Sequence, residues 1–136
     1  MNFFTAILVL FVLGMVNFAI GVSALGRFLK SHIRIASSSD LEDFKRMVRK
    51  QMYQAMLQIV LLGGMTVVSI IGILKHRITF AQLVIVLILD GVIFFAGRKG
   101  KSLEKRAKRL GVEDPDLARE FGSVCRTWFS RPFPDF

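Results

Sequence analysis

Apolar side chains along this chain fall into three long blocks, and nearly all of the charge lies between or after them. Phe3 to Gly26 carries no charged side chain over 24 residues. At roughly 1.5 Å per residue, a helix of that length crosses a hydrocarbon layer about 30 Å thick with some tilt. Met52 to Leu74 is a second uncharged run, interrupted only by the polar Tyr53, Gln54, Gln58, Thr66 and Ser69. Phe80 to Gly97 is a third, 18 residues long and uncharged except for Asp90 near its middle. The pattern predicts an all-α integral membrane protein with three transmembrane helices. It divides into a first transmembrane helix (1–26), a basic cytosolic loop with an amphipathic helix (27–51), a transmembrane hairpin (52–97) and a basic cytosolic tail (98–136).

The segments outside the spans are patterned too. Ser39 and Glu42 have the spacing of a capping box, which predicts a helix start. From there Leu41, Phe44, Met47, Val48, Met52 and Ala55 recur at three- and four-residue steps, with charged residues on the other face. No breaker separates this stripe from the second span, so one helix from about 40 to 74, roughly 50 Å long, is possible. The connection Lys75-His76-Arg77-Ile78 is tight, and Thr79 with Gln82 again has capping-box spacing. Gly111 reads as the stop of the basic helix that follows the third span. Asp114-Pro115 reads as an N-cap with proline in the first turn, and Leu117, Phe121, Val124 and Trp128 then mark a short amphipathic helix. The prolines of Phe129 to Phe136 predict an extended aromatic end.

Composition narrows the class. Of 136 residues, 53% are hydrophobic and 21% charged, with 19 Lys and Arg against 10 Asp and Glu. Clustering of the apolar share argues against a soluble single-core domain and a disordered basic nucleic-acid tail, and the single cysteine, Cys125, excludes an internal disulfide framework. Residues 27–51 hold seven Lys or Arg and residues 98–136 hold ten, against two in 75–79. The positive-inside rule therefore predicts an outside N-terminus with both basic segments cytosolic. Val22-Ser23-Ala24 imitates a signal-cleavage site, but no Lys or Arg precedes the apolar run, which also exceeds a 7–15-residue signal core. An uncleaved anchor in a bacterial cytoplasmic (inner) membrane is the expectation.

Candidate chemistry is sparse. A carboxyl in mid-span is costly and marks a functional site by default, so Asp90 is a candidate for carrying a proton or cation; equally, it can act as a hydrogen bond that fixes packing. Asn17, Ser69 and the Gly63-Gly64 pair are its expected neighbours at similar depth. Gly14, Gly21, Gly63, Gly64 and Ser69 predict close helix contact. Arg98, Lys99, Lys101, Lys105, Arg106, Lys108 and Arg109 suit anionic lipid head groups or simply set topology. Phe121, Trp128, Phe129, Phe133 and Phe136 are candidates for docking a partner. His32 and His76 fall on opposite sides of the membrane, Cys125 has no activating partner in sequence, and no phosphate-cradling, hydrolase, metalloprotease or paired-cysteine motif occurs. No catalytic residue, metal, cofactor or nucleic-acid partner is expected. The reading is a non-catalytic membrane subunit that assembles with other membrane proteins; the alternative is a homo-oligomeric proton or cation conductor built on Asp90.

Overall fold

The computed structural model describes residues 2–136. In chain order the described residues form α1 (Phe3–Ser31), β1 (Arg34–Ile35), α2 (Ser38–Leu74), α3 (Phe80–Lys108), β2 (Gly111–Val112) and α4 (Pro115–Ser130). Three of these helices, α1, α2 and α3, are long and apolar enough to cross a membrane. Each also outruns its uncharged stretch at one end. The 37 residues of α2 form one unbroken helix, roughly 55 Å long, so the amphipathic stripe and the second span are continuous.

The helix ends follow local chemistry. Thr79 and Gln82 form the predicted capping box on α3, and Asp114 caps α4 with Pro115 in the first turn. At the start of α2 the box falls two residues earlier than the sequence spacing indicated. Ser37 Oγ accepts from Asp40 N at 3.3 Å, and Asp40 Oδ2 accepts from the amides of Ser37 and Ala36 at 3.2 and 3.1 Å. An aspartate in the third helical position reaches back as a glutamate would and satisfies one more amide. The α2–α3 turn closes with Arg77 N donating to Gly72 O, and His76 takes the left-handed conformation at φ 51° that usually falls to glycine. Gly72 has no room for a side chain, because a Cβ there would run into Ile78.

Two other boundaries differ from expectation. The basic helix stops at Lys108, and Gly111 is already in β2 rather than being the helix stop. Phe129 and Ser130 complete α4, so only residues 131–136 are irregular.

The strands pair in parallel, Arg34 with Gly111 and Ile35 with Val112. Parallel neighbours need a long crossover. Here that crossover is the whole α2–α3 hairpin, so the exits from α1 and α3 are clasped at one end of the bundle. An Arg34–Glu113 ion pair flanks the clasp.

Around it sits a small domain with its own core. Phe28 from α1, Ile35, Phe44 and Val48 from α2, Ala107 from α3 and Phe121 and Val124 from α4 are all buried there. Phe44 is the hub, its ring centroid lying 4.6 Å from Phe121, 5.9 Å from Phe28 and 6.3 Å from Trp128. Lys45 ties the two amphipathic helices at the rim by pairing with Glu42 on α2 and Glu120 on α4. Within the bundle, α1 packs closely along α2 and more lightly against α3, while α2 and α3 approach little beyond their turn. Ile7, Met65 and Val86 make a second buried cluster toward that turn. The outer surface stays apolar, with Ile59, Val60, Val67, Leu87, Ile88 and Phe94 exposed. Such a continuous exposed apolar band suits lipid rather than water.

Candidate functional site

The contact between α1 and α2 is a polar seam. On α1, Gly14, Asn17 and Gly21 recur at i, i+3 and i+7; on α2, Gln51, Gln54 and Gln58 do the same, so both sets form stripes on their helices. Asn17 Nδ2 donates to Gln54 O at 3.0 Å and to Gln58 Oε1 at 3.1 Å. Gln51 Nε2 donates to Gly21 O at 2.8 Å. The glycines make room for this ladder: a Cβ at Gly14 would lie 3.2 Å from Gln58 Nε2, and one at Gly21 3.1 Å from Gln54 Oε1. Gly14 and Gly21 therefore lie where α1 and α2 approach closely.

The remaining small residues divide. Gly64 meets Leu10 at ordinary distance, whereas a Cβ on Gly63 would meet nothing, so Gly63 plays no part in packing within this chain. Ser69 donates to Met65 O on its own helix, which is how mid-helix serines usually satisfy themselves. Gly100 was not recognised from sequence, yet it admits the Phe18 ring, whose Cε2 would be 3.2 Å from a Cβ at this position. This contrast is testable. Gly21→Leu is expected to destabilise the bundle by about 1–3 kcal/mol through overpacking, while Gly63→Leu leaves it unchanged, as read from melting temperatures in detergent. Equal effects would mean that the seam is not the helix contact.

Asp90 does not join the seam. Asn17 turns to α2, Ser69 to its own backbone, and among the described residues nothing hydrogen-bonds or ion-pairs with Asp90, which is exposed on α3. Asp90 follows Val86 by four residues and precedes Ile93 by three, so it lies on the flank of that inward-turned stripe, yet it stays exposed beside Leu87 and Phe94.

Beside the seam, where α3 leaves its uncharged stretch, a cavity of about 170 Å³ opens between the three helices. Asn17, Phe18, Gly21, Val22 and Leu25 line it from α1, Gln51, Gln54, Ala55 and Gln58 from α2, and Gly100 and Glu104 from α3. Glu104 lies outside the spans, among the basic residues. Burial pushes its carboxyl above the ordinary glutamate value of 4.5, against the pull of Lys108 and Lys101. A raised folded-state pKa costs nothing below the ordinary value and destabilises as pH climbs through the raised one, because the folded chain then holds a bare carboxylate that it disfavours. In lipid-stripped micelles, Glu104→Gln should melt with the wild type at pH 4 and somewhat above it at pH 7.5. A lower melting temperature at neutral pH would contradict this account.

The other candidates sort by surroundings. All seven basic residues from Arg98 to Arg109 are exposed, with Arg98 over the Phe94 ring at 5.0 Å. Phe121 is buried in the small domain, and Trp128 and Phe136 pack against the same core, Phe136 beneath the Arg49 guanidinium. These three rings are thus committed inside the chain, and Phe129 and Phe133 remain exposed. Cys125 is half-buried, and burial pushes its thiol up to about 11, away from a nucleophile's range. His32 stacks on Phe28 with its ring centroid at 4.4 Å and faces Asp40 and Asp43, while His76 sits in the α2–α3 turn.

Three apolar spans, a polar seam between the first two and a small domain clasped onto one end define the chain as an integral, multi-pass α-helical membrane protein. No protein-family model matches the sequence, and no curated protein or solved structure is significantly similar to it.

Proposed function

We propose that this protein is a non-catalytic subunit of a larger membrane-protein complex and that α3 is its docking helix. The observation that carries this reading is the exposed position of Asp90 midway along that span. A carboxyl at that depth costs at least about 2.5 kcal/mol to insert, and such residues almost always face the interior of a bundle or a polar cavity. The face of α3 that bears Asp90, Leu87 and Phe94 is therefore an interior face in the assembled state, where a hydrogen-bond donor from a neighbouring span meets the carboxyl. By the charge bias, the small domain lies on the cytosolic side, of a bacterial inner membrane on this reading. There the basic residues of α3 contact anionic lipid head groups, and Phe129 and Phe133 add to the docking surface.

The same exposed carboxyl supports a second reading: in a closed ring of identical chains, Asp90 from each copy would line a shared proton or cation path. Native mass spectrometry of the protein extracted from its own membrane in mild detergent separates the two. A stoichiometric hetero-complex is the expected result. A closed homo-oligomer favours conduction, and a protein that is monomeric throughout refutes both.

A further inference from the structure

The cavity between α1, α2 and α3 holds acceptors that nothing among the described residues meets. The Asn17 amide donates to Gln54 O and Gln58 Oε1 and the Gln51 amide to Gly21 O, and none of these bonds reaches the Gln54 side-chain oxygen or Glu104. Gln54 Oε1 is fully buried and, among the described residues, has no hydrogen-bond partner. The Glu104 carboxylate, half-buried on the facing helix, forms no ion pair among them either, although Lys101 and Lys108 lie on its own helix. Buried acceptors of this kind are normally met, because an unmet one carries its full desolvation cost.

The depth of the cavity is also informative. Its walls run from Asn17 and Phe18 inside the first span to Leu25 near its end, along Gln51 to Gln58 at the start of the second, and to the exit of the third at Gly100 to Glu104. The cavity therefore opens at the level of the lipid head groups, beside the exposed Lys101, and reaches inward between the spans.

We propose that this cavity binds a primary ammonium group, that of the ethanolamine head group of a membrane phospholipid. An ammonium brings three N–H donors and a positive charge to a set of unmet acceptors that includes a carboxylate. Phe18 and Val22 cover its methylenes, and Lys101, one turn before Glu104, faces the lipid phosphate. The space suits the fragment, since a cavity of about 150 Å³ holds a benzene molecule. A choline head group has no N–H to give Gln54. A bare divalent cation would require six or more oxygens, and these walls are largely apolar.

The test is native mass spectrometry of the delipidated full chain titrated with phosphatidylethanolamine or phosphatidylcholine of identical acyl chains, with octylammonium as a competitor. Ethanolamine lipid should bind about tenfold more tightly than choline lipid, the scale of one charge-assisted hydrogen bond. Glu104→Gln and Gln54→Leu should each abolish that preference, and octylammonium should displace the ethanolamine lipid. Glu104→Gln is not expected to unfold the chain, so it carries the test by itself if Gln54→Leu disturbs the seam. Equal binding of the two lipids, or an undiminished preference in Glu104→Gln, overturns the proposal. Glu104-dependent binding of octylammonium with no preference between the lipids overturns the lipid assignment and leaves a site for a free amine.

Discussion

Phe44→Ala is expected to melt the small domain and leave the three spans in the membrane. Phe44 is completely buried at the meeting point of Phe28, Phe121 and Trp128, so truncation removes contacts to α1 and α4 together. Phenylalanine-to-alanine changes in such positions cost about 3–5 kcal/mol. A domain held by one aromatic hub, a two-residue strand clasp and a rim ion-pair network has little else to offset a loss of that size. The spans are stabilised separately by lipid and by the α1–α2 seam, whose hydrogen bonds do not involve Phe44. Trp128 is the only tryptophan and lies next to the hub, so its fluorescence reports the domain alone. The emission should shift to the red and α4 should become protease-sensitive, with membrane partition unchanged. Unshifted emission with intact protease resistance would mean that α4 is held by something other than this core.

How far the sequence revealed these features follows from the range of the interactions behind them. Three uncharged runs separated by charged segments admit few solutions, and the caps at Thr79 and Asp114 are local chemistry that can be read in four residues. The seam was half legible. Gly14, Asn17 and Gly21 stand out as small or polar residues in a span, but their match is the Gln51, Gln54, Gln58 stripe at the same spacing, a signal present in the sequence but divided by the loop boundary, with Gln51 on one side and Gln54 and Gln58 on the other. The clasp left no such signal, because two-residue strands have no periodicity and their partners lie on opposite sides of the hairpin. For the same reason the aromatic end read as a docking tail, although Phe121, Trp128 and Phe136 had a core to join once α2 was known to extend beneath them. Asp90 shows the limit of depth arguments. Its level in the membrane follows from counting residues, but its direction depends on how α3 is rotated against α1, which hydropathy does not encode.

That direction gives the Asp90 substitutions their force. If the exposed carboxyl is an assembly contact, Asp90→Asn keeps a side chain that can hydrogen-bond across the interface, and complexes should be recovered at the wild-type level. Asp90→Leu removes the bond and the insertion penalty together. The isolated chain should then insert at least as well, with about 2.5 kcal/mol or more of unfavourable transfer relieved, yet recovery of the complex should fall roughly 5- to 30-fold, the scale of a 1–2 kcal/mol bond between membrane helices. Improved insertion with impaired assembly is a combination that general misfolding does not produce. Undiminished recovery of the complex with Asp90→Leu would remove α3 as the docking helix. Proton flux in reconstituted vesicles decides the second reading from the same pair: a ring of copies that conducts through Asp90 loses flux in Asp90→Asn while keeping its oligomeric state, because asparagine holds the hydrogen bond but cannot exchange the proton.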